Sequence, residues 1–151
     1  MKAVIQRCLK ASVIADGVPA GSIENGLLVL VGVSEKDTEA EAELLAKKVS
    51  ALRIFSDEND KMNLSVIDVK GKILAVSNFT LCADTKKGNR PSYTLAMEPN
   101  EANRLYEKFC DFVSLNGVSV EKGVFGADMQ ISMVGDGPIT IVLDTDIWSK
   151  K

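Results

Sequence analysis

The apolar positions change period several times along the chain, and each change marks an element. Residues 2–8 and 11–15 alternate apolar and polar positions, which predicts two strands around a short turn. Asp16-Gly17 supplies a turn before a strand over Val18 to Ile23, and Glu24-Asn25-Gly26 supplies the next. Leu27 to Val33 is a continuous apolar run, the pattern of a strand buried on both faces. The period then lengthens. Leu45, Val49 and Leu52 form an i, i+4, i+7 stripe with Leu44 at its edge. Asp37 is the expected N-cap; Glu39, Glu41 and Glu43 crowd the first turns, and Lys47 and Lys48 lie toward the far end, as the helix dipole favours. Together these predict a helix over about 38–52.

Arg53-Ile54-Phe55 starts a short strand, Ser56 to Lys61 a polar turn, and Lys72 to Cys82 a longer strand. Pro99 or Asn100 opens a second helix, with Ala102, Leu105, Tyr106, Phe109, Phe112 and Val113 on one face and Asn116-Gly117 as its stop. Val118 to Val120, Phe125 to Val134 and Ile139 to Leu143 predict a strand-rich end. Residues 1–151 contain no repeat, low-complexity segment or linker. The expected fold is one compact α/β domain: a mixed, largely antiparallel, barrel-like sheet with two main helices.

Composition narrows the function. At 151 residues, 46% hydrophobic and 26% charged, the chain can bury one real core. No apolar stretch approaches the ~20 residues of a membrane span. The opening Met1-Lys2-Ala3-Val4-Ile5-Gln6-Arg7 turns polar too early for a signal peptide, so the expected location is the cytoplasm. Cys8, Cys82 and Cys110 are odd in number with no Cys-x-x-Cys pair, which predicts buried reduced thiols and neither disulfide nor zinc. Histidine is absent. That removes Ser-His-Asp and Cys-His catalysis and the usual zinc hydrolase sites. A formal charge of −3 argues against broad, sequence-blind nucleic-acid binding. It leaves room for a local patch, and Asp84-Thr85-Lys86-Lys87-Gly88-Asn89-Arg90 carries three cations against one anion. Such a run reads equally as a solvated loop.

Two segments hold the candidate chemistry. Along Lys72 to Cys82, alternation sends Ile73, Ala75, Ser77, Phe79 and Leu81 one way and Leu74, Val76, Asn78, Thr80 and Cys82 the other. The second face begins as core and turns polar at Asn78 and Thr80, as a strand opening onto a pocket does. Polar residues at a strand end also serve ordinary loop hydrogen bonds. Asp136-Gly137-Pro138 precedes an apolar strand, and by itself reads as a turn. A cis bond there would fix two successive carbonyls in an unusual orientation. Cys82 as an esterase nucleophile is a weak alternative without histidine or a thiolate-stabilising partner.

Taken together, these segments resemble the D-aminoacyl-tRNA deacylases, over nearly the whole length. The family's Ser-Gln-Phe-Thr-Leu motif is similar to Ser77-Asn78-Phe79-Thr80-Leu81, and its Asn-x-Gly-Pro-Val-Thr motif to Gly135-Asp136-Gly137-Pro138-Ile139-Thr140. Supporting matches are Ile5-Gln6-Arg7, Ala11-Ser12-Val13, Arg53-Ile54-Phe55-Ser56-Asp57 and Lys61-Met62-Asn63, then Ala83-Asp84-Thr85, Arg90-Pro91-Ser92-Tyr93 and Phe125-Gly126-Ala127-Asp128-Met129. The resemblance implies a homodimeric hydrolase with active sites at the subunit interface. It would free tRNA from a D-amino acid or glycine without a cofactor. Ser77, Asn78, Phe79 and Thr80 inherit the catalytic segment, Phe125 and Met129 the substrate pocket. Gly137 and Pro138 inherit a cis dipeptide that enters the partner's pocket and rejects L-substrates, with Arg7 bracing it. Lys86, Lys87 and Arg90 would meet tRNA phosphates. A rival implication is a nucleic-acid-binding protein that keeps the fold without turnover. Two positions depart from the family: Asn78 is one methylene shorter than Gln, and Gly135 replaces Asn.

Overall fold

The computed structural model describes residues 1–149. β1 (Lys2–Ala15) runs unbroken where two strands around a turn were expected. Its first half pairs with β3 (Gly26–Gly32), its second with β2 (Val18–Ile23), both antiparallel. β8 (Met129–Asp144) spans both halves on the other side, with register shifts between Gln6 and Cys8 and between Cys8 and Lys10. The expected turn is therefore absorbed as irregularities in a long ladder, where a bulge lets a strand bend without ending.

β6 (Lys72–Ser77) lies parallel to β3, and β7 (Ser119–Lys122) parallel to β6. α1 (Glu39–Ala51) precedes β6 and α2 (Pro99–Leu115) precedes β7, the connections that parallel neighbours require. The sheet order is β2-β1-β3-β6-β7, with β8 on β1. The sheet curls until β2 meets β7: a Cβ on Gly21 would stand 2.7 Å from the Lys122 carbonyl oxygen. This is the expected mixed, nearly closed sheet with two main helices, to which α3 (Asp146–Ser149) adds one short turn. A small hairpin of β4 (Phe55–Ser56) and β5 (Met62–Leu64) stands apart. No helix among the described residues is long and apolar enough to cross a membrane.

Burial on both strand faces produces two cores. Leu27, Val29, Ile73 and Ala75 face α1 and α2, meeting Leu45, Val49, Leu105, Phe109 and Val113. Leu28, Leu74 and Val76 face the other way and pack with Cys8, Ala11, Val13 and Ile23. All three cysteines are free and buried, as expected.

Helix α1 starts one residue later than the charge pattern suggests. Its N-cap is Thr38, whose hydroxyl accepts from the Ala40 N–H at 3.2 Å while Glu41 accepts from the Thr38 N–H at 2.6 Å, a capping box. Asp37 is engaged elsewhere. It accepts from the Met1 ammonium at 2.7 Å and the Ser34 N–H at 2.6 Å. For α2 the cap is Glu98, with Pro99 at the first helical position.

Candidate active site

The strand carrying the first motif ends at Ser77, five residues short of the expected Cys82. Its partner β3 stops at Gly32, so the ladder closes with the Val31–Ser77 pair and a 2.8 Å bond from the Asn78 N–H to the Val31 carbonyl. Residues Phe79–Cys82 then wind into one 3₁₀ turn. Gly32 makes room for that turn, because a Cβ there would lie 2.9 Å from the Leu81 Cβ. The period-two alternation is lost beyond Ser77, so Asn78 and Thr80 do not extend the inner face of a strand.

A cavity of about 740 Å³ opens at this break. Its wall brings together Ser77, Asn78 and Phe79 from the break and Phe125 and Met129 from the segment entering β8. Tyr93, Met97 and Glu98 come from the stretch before α2. Tyr106 supports the far wall: its ring packs against Phe125 at 6.4 Å and its buried hydroxyl donates to the Ala75 carbonyl at 2.8 Å. Burial pushes the Tyr106 phenol well above its ordinary range and the Cys110 thiol up to about 12. Both stay neutral and structural.

Thr80 is exposed and lies outside the cavity wall; its hydroxyl donates to the Asn78 side-chain oxygen. A hydroxyl whose proton rests on an amide oxygen faces an acceptor too weak to act as a base. The backbone N–H groups of Phe79 and Thr80 open the 3₁₀ turn, where a helix's first donors lack partners within it. Cys82 is buried, its thiol 3.5 Å from the Val33 carbonyl oxygen and 3.6 Å from Ser34 Oγ, and it does not reach the cavity. The esterase alternative thus lacks an accessible thiol. No group of three or more His, Cys, Asp or Glu side chains suited to a metal occurs among the described residues.

The second motif sits inside β8, where the sequence suggested a turn between separate strands. Gln6 pairs with Thr140 and Cys8 with Gly135, so Asp136, Gly137, Pro138 and Ile139 all stand opposite Arg7. They leave the ladder as a protruding bulge. The Gly137–Pro138 peptide is cis, Gly137 has φ +131°, and both residues are exposed. Arg7 holds the base of the bulge. Its Nε donates to the Asp136 carbonyl at 3.3 Å and pairs with the Asp136 carboxylate at 3.1 Å; its NH1 donates to the Ile54 carbonyl at 2.8 Å. Neither Gly137, Pro138 nor Arg7 lines the cavity of its own chain. Lys86, Lys87 and Arg90 are exposed on a loop closed by paired backbone bonds between Asp84 and Ser92, at 2.7 and 2.9 Å.

Met97 and Glu98 were not singled out from sequence, and Tyr93 figured only as the end of the Arg90-Pro91-Ser92-Tyr93 match, with no role at the site. Only their neighbourhood to Arg90-Pro91-Ser92 and to the start of α2 hinted at them. They arrive by docking on the β3–α1 connection, where the Met97 N–H reaches the Val33 carbonyl at 3.0 Å and the Glu35 N–H the Leu95 carbonyl at 2.9 Å.

The chain is similar to known proteins over nearly its whole length. Residues 4–144 match the family model described as D-Tyr-tRNA(Tyr) deacylase. A D-aminoacyl-tRNA deacylase of Koribacter versatilis (strain Ellin345) is 53% identical over 96% of this chain and 97% of its own. That of Lacticaseibacillus casei (strain BL23) is 51% identical over 97% and 99%. Among solved structures, a c-Myc DNA unwinding element binding protein superposes with TM-score 0.90 at 40% identity, covering 95% of this chain and 98% of that one. A probable eukaryotic D-amino acid tRNA deacylase shares the fold at 15% identity, TM-score 0.79, over 94% and 97%.

Proposed function

Since the chain belongs to the D-Tyr-tRNA(Tyr) deacylase family, we propose that it hydrolyses the ester joining a D-amino acid, or glycine, to the terminal adenosine of tRNA. The observation that carries this reading is the cavity at the end of β6, which gathers Ser77, Asn78, Phe79, Phe125 and Met129. An aminoacyl ester is already reactive, so holding it and stabilising its oxyanion can supply much of the rate. The N–H groups of Phe79 and Thr80 are the donors for the oxyanion. Thr80 positions Asn78 through their hydrogen bond, and the substrate's ribose 2′-hydroxyl helps activate water.

The chiral filter in this reading is the Gly137–Pro138 bulge. It lies outside its own cavity, so a second copy of the chain supplies it, and the working unit is a homodimer with active sites at the interface. A D-residue can place its amino group and ester while its side chain points outward. The L-enantiomer held by the same groups drives its side chain into backbone, and glycine has nothing to reject. A steric clash discriminates more strongly than added apolar contacts, worth only about 1–3 kcal/mol per methylene. The setting would be the cytoplasm, with charged tRNA as partner.

Release of D-amino acid from charged tRNA, at enzyme concentrations far below substrate, tests the reaction. Replacing the 2′-hydroxyl by hydrogen should cripple turnover; full activity on that substrate would remove the assistance. A trapped acyl-Thr80 ester would make Thr80 a nucleophile and defeat the positioning role. The name of the 40% identical structural neighbour favours a second reading, nucleic-acid binding without turnover. Binding of tRNA with no release of amino acid would select it.

A further inference from the structure

We propose that Phe79 and Tyr93 form a stacking platform for the base preceding the terminal adenosine, so that the cavity engages two nucleotides of the single-stranded 3′ end. The proposal rests on the deacylase reading above and adds a ligand subsite to it. Phe79 is 57% exposed and Tyr93 39% exposed, although both contribute to the cavity wall. Their rings meet edge to face, centroids 5.0 Å apart at 76°. In that geometry the edge of one ring rests on the other, fixing both orientations while leaving aromatic face open to solvent. An apolar surface of this kind at a cavity rim is costly unless something covers it.

The surroundings identify the chemistry of the cover. Tyr93 directly follows Ser92, which with Asp84 closes the loop carrying Lys86, Lys87 and Arg90. Among the ion pairs of the described residues, none uses these three cations. An exposed aromatic pair beside an unpaired basic loop is the combination that binds single-stranded nucleic acid: rings stack on bases while cations follow the phosphates. A terminal adenosine inside the cavity must send its 5′ phosphate out past the rim. The next base then lies over Phe79 and Tyr93, and its phosphate runs toward the loop.

Three small substrates test this: D-tyrosyl-adenosine, D-tyrosyl-cytidylyl-adenosine, and the same dinucleotide with an abasic ribose in place of cytidine. The wild-type protein should show kcat/KM roughly tenfold or more higher on the intact dinucleotide than on adenosine alone, expressed mainly in KM. The abasic substrate, which keeps the phosphate, should lose most of that gain. Tyr93→Leu should abolish the preference and Tyr93→Phe retain it. Equal rates on the intact and abasic dinucleotides, or a preference that survives Tyr93→Leu, would overturn the platform while leaving the deacylase reading intact. Failure of the wild type to hydrolyse any of the three would overturn both.

Discussion

Arg7→Met separates the stability of the bulge from the chemistry of the cavity. The side chain is 12% exposed and makes three contacts that a thioether cannot replace. The costliest loss is at Ile54, a buried residue whose carbonyl loses its guanidinium donor. A buried acceptor left unsatisfied costs about 1–3 kcal/mol. The Asp136 carbonyl and carboxylate lose less, because the Asp136 side chain is 37% exposed and water can take over. Methionine keeps much of the apolar stem against Phe55, whose ring lies 6.0 Å below the guanidinium. The expected net loss is about 2 kcal/mol, or a melting point lower by roughly 4–8 °C for a chain of this size. Function should shift in a particular way. With Asp136 released, the neighbouring Gly137–Pro138 backbone gains freedom, so hydrolysis of L-aminoacyl-tRNA rises relative to D while the cavity still binds substrate. The assays are thermal unfolding and the D-to-L ratio of kcat/KM on charged tRNA. An unchanged ratio in a variant destabilised as expected would show that Arg7 supports the fold without holding the filter. An unchanged melting point would refute the energetic reasoning itself.

Three further outcomes are expected. Tyr106→Phe removes one of two donors from the buried Ala75 carbonyl, which keeps the Gly123 N–H at 3.0 Å, so urea unfolding should register the loss of a single hydrogen bond, about 1 kcal/mol; a midpoint equal to wild type would mean that the hydroxyl's bond adds nothing to stability. Replacing Lys86 and Lys87 with Gln should weaken tRNA binding and flatten its salt dependence by about two units of slope at most, and an unchanged slope returns the loop to solvent. Burial, with Glu107 adding to it, holds the Cys110 thiol at about 12 against an ordinary 9.0. The folded chain therefore keeps this proton more tightly than the unfolded chain. That contribution is complete below about pH 9 and is lost as pH rises toward 12. Urea midpoints compared at pH 8 and pH 10.5 should fall less in Cys110→Ala than in wild type, and equal falls would contradict it.

The elements that could be read from sequence are those whose causes are local. The stripe of Leu45 and Val49 with its acidic start places α1 within a residue, because periodicity and helix dipole act within one segment. The apolar face of α2 is legible for the same reason. The N-cap shifted by one because a distant group intervened: the Met1 ammonium takes the Asp37 carboxylate, leaving Thr38 to cap. The end of β6 was misplaced because it depends on where β3 stops, which no pattern within Lys72 to Cys82 records. The same holds for β8, where a bulge opposite Arg7 looks, in one dimension, like a turn between two strands.

By itself the sequence determined the fold class, the two helices, the buried reduced thiols, the exclusion of histidine chemistry and the family of the two motifs. Composition and short-range periodicity are enough for these. Tertiary structure decided what the motifs can do. It ended β6 at Ser77, wound Thr80 out of the cavity, and brought Tyr93 and Glu98 in through docking on the β3–α1 connection. It also raised Gly137–Pro138 out of a strand and away from the chain's own cavity. Those placements follow from which strands run out of partners and which side chains meet across the fold. Such contacts join residues far apart in the chain, and a linear pattern carries no measure of them.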